Sequence, residues 1–245
     1  MGKTKMNNSQ LQGSFAFKPN VMYLRPDFMV STCNAEALKA VESWPTWPFF
    51  ALSIYGPKGC GKTHLAHIFA DQVALKCSKP IKVKIIKASD IKMSMVARLY
   101  AQNPCLVVED VTQKVDNQAL FHLYNLYHNE GGYLLFTSKW PLARINFDLP
   151  DLKSRLKMVP NVAILEPDDS LLEALIVKLF SDRQITVPAD VVRYIVHNME
   201  RSFSYAIKVV ERADELSLCL KRAVTLPIVK QAIYDISHNT QPDLF

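Results

Sequence analysis

The 245-residue chain is 49% hydrophobic and carries a formal net charge of +6. This composition excludes a disordered protein, because about half of the side chains can enter a core, and the length allows one large or two small domains. No apolar run reaches the length of a membrane span and the polar start lacks a signal-peptide core, so we expect a cytoplasmic protein without membrane contact. The five cysteines are scattered and never spaced as CxxC, which argues against a disulfide framework or a zinc site.

The first 50 residues contain a polar tail and then a helix. Residues 1–18 lack helical or strand periodicity, which predicts a flexible tail. Ala37, Leu38 and Val41 recur on one face of a helix predicted over 34–43, and the tryptophan- and proline-rich stretch 44–48 ends it.

Strands and helices alternate through the next hundred residues. Strands are predicted at 49–55, 81–86, 106–108 and 133–137, with helices from about 62 to 76, 89 to 101 and 117 to 129. The run at 106–108 is continuously apolar, as in a parallel strand that is buried on both faces. This alternation predicts an α/β domain built on a parallel sheet.

Beyond Pro167 the pattern becomes helical. Four helices are predicted over 171–180, 188–199, 202–220 and 227–236, with at most a short strand at 186–187. We therefore expect an α/β nucleotide-binding domain over 19–166, a small all-helical lid domain over 167–236, and a second tail over 237–245.

The segment 56–63 fits the phosphate-loop pattern GxxxxGK[ST] and lies between a predicted strand and a predicted helix. The glycines allow a tight turn that aims backbone N–H groups at phosphate oxygens, Lys62 supplies a charge for the β- and γ-phosphates, and the Thr63 hydroxyl can bind Mg²⁺. The chain should therefore bind a nucleoside diphosphate or triphosphate. The predicted nucleotide-binding residues of this segment are Gly56, Pro57, Lys58, Gly59, Cys60, Gly61, Lys62, Thr63 and His64.

Two acidic residues follow the apolar run at 106–108, about 45 residues past the phosphate loop. Such a pair provides one carboxylate near Mg²⁺, here Glu109, and one near the attacking water, here Asp110. The order is the reverse of the common Asp-Glu, which puts the hydrolytic geometry in doubt. The alternative is that the acids cap a helix.

Three further polar residues are candidates for contact with a nucleotide. Ser138 follows the next strand and could reach the γ-phosphate or water, although a Ser-Lys turn is also a common loop. Arg155 lies between the sheet and the helical region, where an arginine can reach a neighbouring subunit's nucleotide. Arg201 begins the third lid helix. For both arginines the alternative is a residue on a helix surface.

The last five residues, 241–245, read QPDLF. A glutamine followed by an apolar-aromatic pair on a tail suits a linear peptide motif, in which the amide of Gln241 sets orientation while Leu244 and Phe245 enter an apolar pocket. The alternative is a frayed tail.

Taken together, these residues resemble the DnaA-related AAA+ family, and especially its short members that lack the initiator's DNA-binding domain. The resemblance covers nearly all of residues 20–236. It is carried by the segments 28–30, 34–35, 44–48, 55–67, 109–110, 119–123, 149–156, 177–184 and 200–203.

The resemblance implies an AAA+ fold that binds ADP or ATP with Mg²⁺, attaches to the DNA polymerase sliding clamp and promotes ATP hydrolysis by DnaA, which prevents re-initiation. Phe28 and Val30 would then line the adenine side, Arg201 would match the sensor II arginine, and Arg155 would act in trans. Intrinsic ATPase activity would be weak, DNA contact weak or indirect, and self-association is left open.

The family's clamp-binding peptide lies at the N-terminus, where Gln10 and Leu11 are followed by an interrupting glycine. The C-terminal QPDLF matches the QxxLF pattern better, so either tail could bind the clamp. Two other functions remain open at this point, an active ATPase of the helicase-loader or clamp-loader type, and a DNA-bound replication scaffold.

Overall fold

The computed structural model describes residues 23–77 and 81–239. Its centre is a parallel sheet with the strand order β2-β3-β4-β1-β5. The predicted α/β class with a parallel sheet is thereby confirmed. The strands are β1 (Ala51–Tyr55), β2 (Lys84–Lys87), β3 (Cys105–Val111), β4 (Tyr133–Ser138) and β5 (Asn161–Ala163).

Helices cover both faces of this sheet because its central strands are apolar on both sides. Ile54, Val107 and Leu135 pack against α1 and α2, whereas Leu106 and Phe136 face α3, α4 and α5. These helices are α1 (Ala35–Glu42), α2 (Lys62–Lys76), α3 (Val96–Gln102), α4 (Asn117–Glu130) and α5 (Pro150–Lys157).

A helical lid follows the sheet and has its own core, centred on residues such as Ile176, Ile195 and Val209. The Asp168 carboxylate caps the first lid helix by accepting a hydrogen bond from the Leu171 N–H at 2.8 Å. Ser202 caps the third in the same way. The lid helices are α6 (Asp169–Ser181), α7 (Ala189–Asn198), α8 (Phe203–Leu220) and α9 (Leu226–Asn239). The exact domain bounds stay a prediction.

Several predicted elements are wrong in detail. The helix expected over 89–101 consists of two short 3-10 turns and α3, because Ile91 adopts an extended conformation and is buried in the core. The strand expected from residue 81 begins at Lys84, and residues 186–187 form no strand. Strand β5 was not predicted, since it has only three residues and pairs with β1 alone.

Candidate nucleotide site between the sheet and the lid

The phosphate loop connects β1 to α2 and depends on two glycines with left-handed backbone angles. Gly59 has φ +75° and Gly61, the N-cap of α2, has φ +100°. Such angles strain any residue with a Cβ, so glycine is required there. The loop leads into the N-terminus of a 15-residue helix, where free N–H groups and the helix dipole favour an anion.

Lysines supply the positive charge at this loop. Lys62 donates hydrogen bonds from Nζ to the carbonyl oxygens of Gly56 and Pro57, at 2.9 and 2.7 Å. Neither Lys62, Lys58 nor Lys139 forms a salt bridge with a carboxylate of residues 23–77 and 81–239. Uncompensated cations beside a glycine loop fit a polyphosphate chain.

A cavity of about 870 Å³ lies between this loop and the lid. Gly59, Lys62 and Thr63 line it from the sheet, and Leu175, Leu179 and Phe203 line it from the lid. Its size and its apolar walls are typical of small-molecule sites, and the many charged side chains in its lining suit a charged ligand.

Aromatic rings line the cavity around His64. Phe28, 5% exposed, packs edge-to-face on His64 with ring centroids 5.1 Å apart, and Tyr23 contacts His64 at 5.4 Å. The His64 Nε2 lies 2.9 Å from the carbonyl oxygen of Leu24. Burial lowers the pKa of His64 below its ordinary value, which favours the neutral ring. Of the predicted adenine-side pair, Phe28 lines the cavity and Val30 does not.

The acidic pair lies at an irregularity in β3. The register between β3 and β4 shifts between Val108 and Val111, which gives β3 one extra residue. Asp110 has φ +55°, and its N–H donates to Thr137 Oγ1 at 3.1 Å. Asp110 lines the cavity. Its neighbour Glu109 is half-buried.

The oxygen donors present suit Mg²⁺. Thr63 and Asp110 line the same cavity and offer a hydroxyl and a carboxylate, the ligand types that Mg²⁺ prefers beside phosphate oxygens. Thr63 and Asp110 would hold the ion, which would neutralise phosphate charge, whereas Glu109, predicted on the metal side, is not among the residues that line the cavity. No group of three or more His, Cys, Asp and Glu that could by itself hold a metal was found in the part of the chain that the structure describes.

Ser138 does not line the cavity, but the next residue, Lys139, does. Ser138 is buried, and its hydroxyl donates to the Trp140 carbonyl at 2.6 Å. Sequence reasoning selected Ser138 as the polar side chain at this turn and missed Lys139, although a cation also suits a phosphate.

The two predicted arginines both lie outside the cavity lining. Arg155 is exposed on the last turn of α5, whose Leu152 and Leu156 are buried. Arg201 is also exposed and pairs with Asp169, with its Nη2 2.5 Å from Oδ1.

The lid wall of the cavity carries other cations. Lys178 bridges Asp27 of the sheet domain and Asp182 of its own helix, both at 3.0 Å. The Nε of Arg183 lies 3.6 Å from the Oδ2 of Asp214. Both residues belong to the segment 177–184 that carries the family resemblance, but nothing in that segment indicated a cation facing the cavity, since Lys178 lies within α6 and Arg183 in the turn that follows it.

The lid also contacts the phosphate loop directly. The Phe203 N–H donates to the Gly59 carbonyl at 3.0 Å. A Cβ on Gly59 would lie 2.3 Å from Ser204 Oγ and 2.9 Å from Ser202 Cβ. The loop and the N-terminus of α8 thus fit together only because Gly59 has no side chain.

The predicted clamp-binding residues lie outside the described residues; they are Gln10, Leu11, Gln241, Leu244 and Phe245. Within the described ranges, no helix combines the length and the apolar character needed to cross a membrane.

Comparison with known proteins identifies the class. Residues 20–163 match the family model of the bacterial DnaA ATPase domain, and the chain belongs to this family. Residues 168–233 match the lid domain of Hda. The chain is thus a DnaA-related, Hda-like AAA+ protein, and the resemblance inferred from the sequence is confirmed.

Relatives and solved structures agree with this assignment. DnaA of Clavibacter sepedonicus is 23% identical over 215 residues, which cover 82% of this chain and 45% of that protein. An uncharacterized protein of Haemophilus influenzae is 26% identical over 192 residues, covering 76% of this chain and 81% of that protein. The chain spans about half the length of the curated DnaA relatives it matches.

Two solved structures show the same fold. Domain III of Thermotoga maritima DnaA aligns with a TM-score of 0.76 at 19% identity, covering 88% of this chain and 97% of that one. AMPPCP-bound DnaA from Aquifex aeolicus aligns with a TM-score of 0.65 at 19% identity, covering 89% of this chain and 71% of that one.

Proposed function

We propose that the protein binds ADP or ATP with Mg²⁺ in the cavity between the phosphate loop and the lid, and that it regulates replication initiation. The observation that supports nucleotide binding best is the combination of a glycine-bent loop, three uncompensated lysines and an apolar lid around one cavity of about 870 Å³. The AMPPCP in the Aquifex relative supports an adenine nucleotide.

The regulatory activity we propose is stimulation of ATP hydrolysis by DnaA while this protein is attached to the sliding clamp. Its Hda-type lid supports this choice over an independent ATPase. Arg155 would place a positive charge beside the phosphates of the ATP bound to DnaA. It is available for this contact because it is exposed and lies away from the protein's own cavity. An arginine provided in trans stabilises charge on the transferred phosphoryl group.

The test is a reaction with DnaA·ATP and clamp-loaded DNA, measuring ATP hydrolysis with and without this protein. We expect stimulation by the wild-type chain and loss of nearly all of it with Arg155→Ala, because an arginine finger contributes about 10³–10⁵ to kcat. Lys153→Ala, a basic residue on the same helix, is the matched control and should retain stimulation. Stimulation that persists in Arg155→Ala would refute the role in trans.

The clamp contact is tested separately by deletion of residues 241–245. Weaker clamp binding by the shortened chain would support the C-terminal motif. Unchanged binding would refute it and direct attention to Gln10. Hydrolysis by the purified protein alone, abolished by Glu109→Gln, would favour an independent ATPase instead.

A further inference from the structure

His64 lines the cavity beside Phe28 and Tyr23, and its contacts fix which nitrogen carries a proton. Its Nε2 lies 2.9 Å from the Leu24 carbonyl oxygen. A carbonyl only accepts hydrogen bonds, so Nε2 must donate and must carry the hydrogen. In the neutral ring, Nδ1 is then an unprotonated acceptor.

The rest of the ring is held in place by apolar contacts. The ring of Phe28 packs edge-to-face on the His64 ring with centroids 5.1 Å apart, and the ring of Tyr23 contacts the His64 ring with centroids 5.4 Å apart. With Nε2 committed to Leu24, the ring cannot turn over without losing that hydrogen bond. Nδ1 has no hydrogen-bond partner among the residues that the structure describes, and His64 lines the cavity.

We infer that His64 selects adenine, with Nδ1 accepting a hydrogen bond from the exocyclic amine of the base. This inference depends on the nucleotide binding proposed above. Adenine presents an N–H donor at position 6, whereas guanine and hypoxanthine present a carbonyl oxygen there. A fixed acceptor facing that oxygen would leave two acceptors opposed and unpaired, which discriminates strongly between otherwise similar ligands.

The test compares dissociation constants for ADP and inosine diphosphate, measured by calorimetry on the full-length protein. The two ligands share ribose and phosphates. We expect the wild type to prefer ADP by about tenfold or more, the ratio that corresponds to one hydrogen bond of about 1.4 kcal/mol. His64→Phe keeps the aromatic contacts but removes both ring nitrogens, and should bring the ratio close to one.

His67→Phe is the matched control. His67 lies on the same helix and stacks on Tyr23 at 4.6 Å, but it is not among the residues that line the cavity. Its substitution should leave the preference for ADP unchanged. A preference that survives in His64→Phe would overturn the inference, as would a ratio near one in the wild type.

Two further measurements cover a contact of Nδ1 with the ribose and a variant that does not fold. If His64→Phe loses discrimination against 2′-deoxy-ADP but not against inosine diphosphate, Nδ1 binds the ribose and the inference is wrong. If His64→Phe fails to fold, nitrogen NMR of the wild type decides, because ADP but not inosine diphosphate should shift the unprotonated ring nitrogen of His64. Failure to bind any nucleotide would instead overturn the proposed function, and this inference with it.

Discussion

Replacing Gly59 with alanine should disrupt both the phosphate loop and its contact with the lid. The left-handed φ of +75° alone costs a residue with a Cβ about 1–2 kcal/mol. The new methyl group would also lie 2.3 Å from Ser204 Oγ, a distance that non-bonded carbon and oxygen atoms do not tolerate.

Rotation of Ser204 would relieve only the contact with its Oγ, whereas the 2.9 Å approach to Ser202 Cβ requires the N-terminus of α8 to move, which gives up the hydrogen bond from Phe203 to Gly59. That bond contributes about 1 kcal/mol. We therefore expect Gly59→Ala to lower the free energy of unfolding by about 2–3 kcal/mol, the sum of the backbone strain and the lost bond. ADP should also bind more weakly, because the lid that lines the cavity has moved.

The assays are urea denaturation and calorimetric titration with ADP. Gly131→Ala is the control, since Gly131 also has a positive φ, +94°, but a Cβ there would meet nothing within 4 Å. It should destabilise the fold through backbone strain and leave ADP affinity unchanged.

The double variant Gly59→Ala with Ser204→Ala should regain part of the lost affinity, since it removes the closest clash. It will not regain all of it, because the strain and the 2.9 Å approach to Ser202 Cβ persist. Wild-type ADP affinity in Gly59→Ala would refute the coupling between loop and lid. A double variant no better than the single one would show that the clash with Ser204 is not its cause.

Three further predictions concern single side chains. Lys139→Gln should weaken ADP binding several-fold, because a cation leaves the cavity wall, and calorimetry showing equal affinity would exclude a role in binding. Thr137→Val keeps the shape of a buried residue but removes the acceptor for the Asp110 N–H, so it should destabilise the fold by about 1 kcal/mol in urea, and no change would mean that this hydrogen bond is not needed. Hydrogen bonds from Arg212 lower the pKa of Asp235, so its contribution to stability is present above the unfolded-state pKa and is lost as the pH falls through the lower folded-state pKa. Asp235→Asn should therefore flatten the acid side of the stability profile, and an unchanged slope there would contradict this.

The features that the sequence predicted best are those set by neighbouring residues. The phosphate loop is specified by glycines and a lysine within eight positions, and it does join a strand to a helix as predicted. The apolar run of β3 predicted a strand with two covered faces, and its Leu106 and Val107 do pack into cores on opposite sides of the sheet.

The features that the sequence did not predict depend on contacts between distant segments. Strand β5 exists because three residues reach the edge of β1. Lys178 meets Asp27 across 151 positions, and no spacing rule connects them. The resemblance implies a nucleotide contact for Arg201, yet the side chain pairs with the distant Asp169 and lies outside the cavity lining.

A backbone hydrogen bond and an ion pair join the lid to the sheet domain at separate places. Phe203 holds the phosphate loop through the Gly59 carbonyl, and Lys178 holds the N-terminal segment through Asp27. The first is a backbone bond inside a close-packed junction and the second is a part-exposed ion pair, so the first should resist displacement more. A lid that pivots should therefore release Asp27 before it releases Gly59. Lys178→Gln should accordingly speed ADP dissociation in stopped-flow measurements with little loss of stability, in contrast to Gly59→Ala, and an unchanged dissociation rate would show that the ion pair does not restrain the lid.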